Sequence, residues 1–421
     1  MIVDKREFIR TLGGSSLGLL LGPDLLDRMT GVSPAVLAAD DPFWDSIRAS
    51  YRLTSDYINL ESGYFSMQAQ PVLEAFIGHV RDLNLEHSHY MRAVMTADKA
   101  RVQARLAGIA GCGADELIIT RNTTESLDTV ISGFDWKPGD EAVMASSDYG
   151  AMLDQFALQA RRYGMLNRIV NVPLHPASDD EIVQKYAEAI TPRTRLLMVC
   201  HVVNLTGQVL PVRKVAEMAH ARGVPVMVDG AHAFAQIDYR IPDLGVDYYG
   251  ASLHKWLGAP LGAGILYVRK DRIPTLWPVF GDAGMADTDI RKLNHTGTHP
   301  CHTDLGIEDA IAFHERIGVA RKEARLRYLQ QYWTSRVRGK PRIVLNTPED
   351  PSRTCAIANV GVEGVEPGEL AKRLLATHRI FTVAITRPQA GVMGARITPH
   401  LFTTTVELDA LVAALGTISA S

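Results

Sequence analysis

Seven short apolar segments alternate with helix-forming stretches through the first two thirds of this chain of 421 residues. Most of the segments are rich in Val, Ile, Leu and Met with little polar alternation, which is typical of strands buried on both faces. Asn122 with Glu125, and Ser178 with Glu181, are typical of helix starts between them. This alternation predicts an α/β sheet with helices on both faces and a ligand site at the carboxyl ends of its strands. The predicted strands are Leu117–Thr120, Glu141–Ser146, Arg168–Leu174, Arg195–Val202, Pro225–Gly230, Tyr248–Leu253 and Gly264–Arg269.

The last quarter of the chain has a different pattern. A long charged helix is predicted from Ala312 to Arg338, with a break near Gly318, and short strands and a final helix follow it. With 46% hydrophobic residues, the chain is long and apolar enough for two cores. We therefore predict a large α/β domain in residues 40–311 and a smaller α+β domain in residues 312–421.

Composition argues against several classes of partner. The formal net charge is -3, with both signs spread along the chain and no run of Lys and Arg, so a nucleic-acid partner is not expected. No apolar stretch reaches the roughly 18–20 residues that span a bilayer, so stable membrane insertion is not expected either. The four cysteines show neither CxxC pairing nor a zinc-like spacing with histidine, and no metal site is predicted.

The first 39 residues differ from the rest. A basic patch from Lys5 to Arg10 precedes an apolar, Gly-rich segment from Leu12 to Gly22, and the small residues Ala38-Ala39 close the region. This order is typical of export signals, and the patch resembles a twin-arginine signal in which Lys5 replaces the first arginine. We predict an export signal in residues 1–39 and a periplasmic protein. The alternative is a short helix packed on the body of a cytoplasmic protein.

The strongest chemical signal joins Asp229, in the run VDGAHA, to Lys255, in the run SLHKW. A carboxylate at the end of a buried strand requires a cationic partner, and a lysine after the next strand can form an imine with an aldehyde. Pyridoxal 5'-phosphate (PLP) needs both groups. Its ring nitrogen is kept protonated by a carboxylate, and its aldehyde needs an amine that later serves as general base. Alone, each would more often be a helix cap or a surface lysine; together they predict a catalytic pair.

These motifs resemble the class V aminotransferases of PLP fold type I, a family that includes cysteine desulfurases, isopenicillin N epimerase and kynureninase-like enzymes. The resemblance extends over roughly residues 55–415, and the run HKWLGAPLGAG, from His254 to Gly264, is most similar to the epimerase-like branch. It implies a mostly parallel seven-stranded sheet sandwiched by helices. It also implies a homodimer with composite active sites and an amino-acid-like small molecule as substrate.

The resemblance further implies where the cofactor phosphate binds. Thr123 and Thr124 open a predicted helix, whose free N–H groups and positive dipole end suit a phosphate. Ser252 and His254 would be further phosphate ligands. Thr298, in a Thr-Gly-Thr turn, resembles the threonine that reaches the phosphate of the neighbouring subunit. The ordinary alternatives are a simple helix cap and an ordinary loop.

Four more residues are implied to surround the ring and the substrate. Tyr149 would stack on the pyridine ring, although it could instead be a core residue. Asn204 and His232 would lie near the phenolic oxygen and tune the proton affinity of the imine. Arg396 resembles the arginine that grips the α-carboxylate of the substrate with two parallel hydrogen bonds, with a surface salt bridge as the alternative.

The reaction branch stays open. The segment Arg387–Gly394 lacks the cysteine that a desulfurase needs, so sulfur transfer through a persulfide is disfavoured. The other reactions share displacement of Lys255 from its Schiff base, loss of the α-proton and a quinonoid. We predict transamination, with epimerisation and C–S or β-elimination as alternatives; retention of Lys255, Asp229 and Arg396 disfavours a non-catalytic PLP-binding module. The turn Glu61–Tyr64 departs from the family's Asn-rich pattern, which leaves the substrate in doubt.

Overall fold

The computed structural model describes residues 31–281 and 284–420. The basic and apolar parts of the predicted export signal, in residues 1–30, lie outside the described residues. The helices are α1 Pro34–Ala38, α2 Asp41–Arg48, α3 Gln70–Ala93, α4 Met95–Ala110, α5 Thr123–Gly133, α6 Gly150–Tyr163, α7 Asp179–Ala189, α8 Val212–His220, α9 Cys301–Ile317, α10 Val319–Val337, α11 Pro367–His378 and α12 Thr405–Ala420. The strands are β1 Ile58–Asn59, β2 Leu117–Thr120, β3 Glu141–Ala145, β4 Leu166–Val170, β5 Thr194–Cys200, β6 Val226–Asp229, β7 Tyr248–Ser252, β8 Gly264–Val268, β9 Ile343–Leu345, β10 Ala358–Val362, β11 Ile380–Phe381, β12 Val383–Arg387 and β13 Val392–Ile397. None of these helices combines the length and the apolar character that a membrane crossing requires.

A seven-stranded sheet in the order β2-β8-β7-β6-β5-β3-β4 forms the centre of the molecule. β4, β3, β5, β6 and β7 pair in parallel, whereas β8 is antiparallel to both β7 and β2. Only β8 therefore runs in the opposite direction, and the carboxyl ends of the other six strands meet at one edge. The fold-type I architecture predicted from the sequence is confirmed.

Side chains of the central strands alternate between two cores. Leu197 and Val228 belong to the core on one face, while Leu196 and Met227 belong to the core on the other. Both faces are covered by helices, which explains why these strands read as continuous apolar runs. The sheet is thus a packed platform whose exposed functional part is its carboxyl edge.

The predicted strand Arg168–Leu174 is the exception. In the structure β4 starts earlier, at Leu166, and ends at Val170, and most of its side chains are exposed or half-buried. β4 is an edge strand that pairs only with β3, so one side of it faces solvent. Pro173 lacks an N–H and cannot extend the ladder. The expectation of burial on both faces is wrong for this strand.

A four-stranded antiparallel sheet, in the order β12-β13-β10-β9, packs with α10, α11 and α12 around a separate apolar core. β1 joins this part by pairing in parallel with β11. The long charged helix predicted from Ala312 to Arg338 is two helices, and α9 already begins at Cys301. The break falls at Gly318, whose φ of 84° favours glycine. The division of the chain at residue 311 stays a prediction.

The segment after residue 31 packs on the folded body. Leu37 and Ala38 of α1 are buried, and the indole of Trp44 donates a hydrogen bond of 2.7 Å to the carbonyl of Leu37. The guanidinium of Arg325 in α10 donates one of 2.9 Å to the carbonyl of Ala38. The last part of the predicted export signal is therefore in contact with the body.

Candidate active site

A cavity of about 280 Å³ opens at the carboxyl edge of the large sheet. The turns that follow β2, β3, β5, β6 and β7 line it, because these strands end at the same edge. All but one of the predicted site residues line this cavity; Thr298 instead lies exposed on the connection between β8 and α9. The residues brought together are Thr123, Thr124, Tyr149, Asn204, Asp229, His232, Ser252, His254, Lys255 and Arg396.

One end of the cavity is built from the start of α5 and the end of β7. Asn122 caps the helix by accepting a hydrogen bond of 2.9 Å from the backbone N–H of Glu125. The hydroxyl of Ser252 accepts one of 3.0 Å from the N–H of Thr123 and lies 2.7 Å from that residue's hydroxyl. Clustered hydroxyls at a helix N-terminus fit the phosphate of PLP.

Asp229 lies at the bottom of the cavity and is only 4% exposed. Within the described residues it accepts a hydrogen bond of 3.0 Å from the N–H of Ala231. Burial raises the pKa of Asp229, while the charge of Lys255 lowers it. A buried carboxylate that faces a cavity with so few donors fits the protonated ring nitrogen of PLP.

A second buried acid, Asp148, was not identified from the sequence. Its carboxylate accepts a hydrogen bond of 2.7 Å from the N–H of Ala145, and burial raises its pKa to about 8, with a smaller contribution from Asp229. Burial therefore favours the protonated form of this acid. The bond closes the turn between β3 and α6 that carries Tyr149, whose side chain is 44% exposed on the cavity wall. The sequence signal that could have identified Asp148 is its position just after a buried strand.

Lys255 is held by a chain of two hydrogen bonds. The indole N–H of Trp256 donates to Nδ1 of His232 at 3.3 Å, and Nε2 of His232 lies 3.1 Å from Nζ of Lys255. Since Nδ1 accepts, Nε2 carries the proton of the neutral ring and can donate it to the amine of Lys255 once that amine is unprotonated. Burial shifts both groups toward their neutral forms, because it lowers the pKa of Lys255 to about 8 and the pKa of His232 well below its ordinary value. Sequence reasoning missed Trp256, although it stands next to the lysine.

The opposite end of the cavity contains an ion pair. Nη2 of Arg396 lies 2.5 Å from Oε1 of Glu61, and Nε donates to Oε2 at 3.3 Å. Nη1 donates to the carbonyl of Asn204 at 3.2 Å. The side-chain oxygen of Asn204 has no partner within the described residues. The arginine predicted to bind the substrate is thus engaged by a carboxylate of its own chain, and its role stays a prediction.

The segment predicted to lack a desulfurase cysteine is a tight hairpin. β12 and β13 pair up to Arg387 and Val392, and a short turn at Pro388–Gly391 joins them. Cys200 does line the cavity, but burial raises its pKa well above the ordinary value and its thiol donates to the carbonyl of Val202. Neither feature supplies a mobile, ionised thiol.

The family model of the aminotransferases of class V matches residues 65–385, which is most of the chain. The chain belongs to the class V aminotransferases. It is 28% identical over 393 residues to isopenicillin N epimerase of Streptomyces clavuligerus, a match that covers 89% of this chain and 98% of that protein. The similarity to the epimerase-like branch is thereby confirmed, and the chain is a PLP-dependent enzyme.

Solved structures share the fold. An apo cysteine desulfurase of Thermococcus onnurineus NA1 matches with a TM-score of 0.79 at 21% identity, over 89% of this chain and 98% of that one. A lysine-to-alanine mutant of C-DES, with glycine covalently linked to its PLP cofactor, matches with a TM-score of 0.77 at 22% identity, over 86% and 96% of the two chains. At such identities the match establishes the fold, and the reaction has to be argued from this chain's own residues.

Proposed function

We propose that this class V enzyme is aminotransferase-like and moves a proton at the α-carbon of an amino acid or a related primary amine. When bound, PLP supplies an aldehyde that bonds to amines and a protonated ring that withdraws electrons from the bonds of the α-carbon. The observation that carries the proposal is that Lys255 and Asp229 line the same cavity, with the amine of Lys255 in contact with His232.

The residues of the chain then have separate tasks. Asp229 would hold the proton on the ring nitrogen, and Thr123, Ser252 and His254 would bind the phosphate. Lys255, with a pKa lowered to about 8, can take up a proton near neutral pH, as a general base must.

A single base favours amino transfer over epimerisation. Lys255 is the one lysine that lines the cavity within the described residues, and its tether limits it to one face of a bound substrate. For transamination, the proton that leaves the α-carbon would have to return on the same face to the aldehyde-derived carbon that PLP would supply, and a single tethered base can do both. Epimerisation is the second candidate, supported by the similarity to isopenicillin N epimerase, and it requires proton delivery to both faces of the α-carbon.

We further infer that the enzyme acts as a homodimer. Trp277 and Phe280, on the same connection as Thr298, are 68% and 54% exposed, as expected of side chains that a second subunit covers. Thr298 would then complete the phosphate site of the partner. Sedimentation of the PLP-loaded protein tests the dimer, and a monomer with full activity would contradict it.

Lys255→Ala is the first test. PLP-loaded wild type should show a visible absorption band, and borohydride should fix PLP to the peptide that contains Lys255. K255A should lose the band and at least ~10³-fold of the activity, because both the covalent link and the base are removed. K185A, at a surface lysine of α7, is the matched control. A modified peptide elsewhere in the chain would refute the assignment.

The branch is decided with the same preparation. An amine substrate that undergoes amino transfer should bleach the visible band, and a 2-oxo acid should restore it. An epimerase should instead keep its band while solvent deuterium enters the α-position and the configuration inverts.

A further inference from the structure

The buried pair of Glu61 and Arg396 closes the end of the cavity where a substrate carboxylate would be expected. The side chains of Glu61 and Arg396 are only 7% and 8% exposed, although Arg396 lines the cavity. Glu61 takes the Nε–Nη2 edge of the guanidinium, which is the edge best shaped for a carboxylate. An external carboxylate therefore meets an arginine whose charge is already balanced.

The turn that carries Glu61 is built around this arginine. The hydroxyl of Thr398 accepts hydrogen bonds of 2.6 Å from the N–H of Ser62 and 3.1 Å from the N–H of Gly63. A side chain at position 63 would place its Cβ 3.2 Å from the guanidinium carbon of Arg396. Glycine at this position thus lets the turn lie directly against the guanidinium.

Glu61 is also held from its own side. Its Oε1 accepts a hydrogen bond of 2.9 Å from the N–H of Tyr64, and its backbone forms a bridge with Thr398. Displacing Glu61 would break a buried ion pair and leave a buried carboxylate without its cation, which is strongly unfavourable. A substrate carboxylate gains little from Arg396 under these conditions.

We propose that Glu61 is a specificity-determining residue that selects primary amines whose neighbouring group is uncharged. The carboxamide next to the α-amine of a peptide's N-terminal residue is such a group, and so is the amide of an amino acid. A neutral amide can accept from the remaining N–H groups of Arg396 and donate to Glu61 without displacing either. The inference rests on the proposed function, because the amine has to reach PLP on Lys255.

Glycine and glycinamide test the proposal, since they differ only in the charged group and have no handedness. Dissociation constants are measured from the change in the visible spectrum of the PLP-loaded full chain. Each constant is expressed in terms of the concentration of the unprotonated amine, so that the two ligands are compared in the same form. Wild type should bind glycinamide more tightly. E61Q should shift the ratio of the two constants toward glycine by about tenfold or more, because the carboxylate that competes for Arg396 is gone.

E217Q is the matched control, because Glu217 pairs with Arg213 on the exposed face of α8 and its loss should leave the ratio unchanged. A ratio that is the same in wild type and E61Q overturns the inference, and so does a wild type that prefers glycine. If E61Q does not fold, the preference of the wild type decides alone. Failure of the proposed function is distinguishable, since the visible band would then be absent or respond to neither ligand.

Discussion

At the scale of single residues, a buried lysine beneath the active site is the least expected feature. Lys322 is 3% exposed, and its amine contacts the backbone carbonyl of Trp256 and lies 3.5 Å from Nδ1 of His314. No carboxylate pairs with it within the described residues. Burial lowers its pKa to about 7. Trp256 thus connects this lysine, through its carbonyl, with Lys255, through the indole and His232.

The buried lysine predicts a pH dependence of stability. Lys322 has a folded-state pKa of about 7 against an ordinary value of 10.5, so the unfolded chain binds the additional proton between these limits. Its contribution to stability therefore rises with pH across this window, and the penalty for burying it is complete below pH 7. K322M should flatten the increase in unfolding free energy between pH 7 and pH 9.5, by at most about 3 kcal/mol.

Denaturant unfolding at the two pH values measures this difference. At pH 7, K322M gains unfolding free energy because it no longer buries a charged amine. This gain is partly offset, because the carbonyl of Trp256 loses its donor at a cost of roughly 1–3 kcal/mol. K340M, at an exposed lysine, should keep the slope of the wild type. Equal slopes in wild type and K322M would show that Lys322 does not titrate in this range.

At the scale of elements, the turn after β5 joins the two sheets. The N–H of Gly207 donates to the carbonyl of Val203 at 2.8 Å, and Gln208 bridges to Thr354 on the way to β10. A Cβ on Gly207 would lie 1.9 Å from the carbonyl oxygen of Ile357. Because Asn204 is part of the same turn, the shape of the cavity depends on this close approach of backbones.

Gly207→Ala tests the contact against Gly223→Ala. Both glycines have φ near +75°, at 75° and 73°, but position 223 is open, with no atom within 4 Å of an added methyl group. The unfolding free energy of G223A should fall only by the cost of placing alanine in the left-handed conformation, on the order of 1–3 kcal/mol. The unfolding free energy of G207A should fall by that amount and by a further ~1–3 kcal/mol or more, because the added methyl group clashes with the carbonyl of Ile357. Equal losses in denaturant unfolding would mean that the turn yields without cost.

At the scale of the whole molecule, residues 33–48 connect the start of the described chain to its C-terminal part. Arg325 donates to the carbonyl of Ala38 and pairs with Asp41 at 3.0 Å, while Arg48 pairs with Glu407 at 2.9 Å. α1 and α2 thus pack on α10 and α12. Arg325 is 2% exposed, so these partners are needed to compensate its buried positive charge.

Two truncations test this contact and bear on export. Of a chain that starts at Ser33 and one that starts at Asp41, the second should have an unfolding free energy lower by about 2–5 kcal/mol, because Leu37 is removed from the core and Arg325 loses an acceptor. If an export signal is cleaved, we therefore expect the new N-terminus at or before Ser33, and not after Ala39. N-terminal sequencing of the protein from fractionated cells would show it, and a mature chain that starts at Asp40 would contradict it.

The sequence by itself determined the local elements and the central pair. Strands of the sheet interior can be recognised because both of their faces are apolar. Helix starts can be recognised because a capping residue bonds to residues close to it in the sequence, as Asn122 does. Asp229 ends β6 and Lys255 follows β7, two strands that are consecutive in the chain and adjacent in the sheet, so their proximity follows from the alternation of elements.

Only the tertiary structure decided which distant residues share the cavity and in what state. Glu61 and Arg396 are 335 positions apart and meet because the chain after β1 forms a parallel bridge with the chain after β13, between Glu61 and Thr398, which no local pattern encodes. The exposure of β4 depends on the order of strands, and the pKa values of Asp148 and Lys322 depend on how completely the fold removes them from water. These features depend on contacts between residues that are far apart in the sequence, whereas helix capping and strand burial produce local sequence patterns.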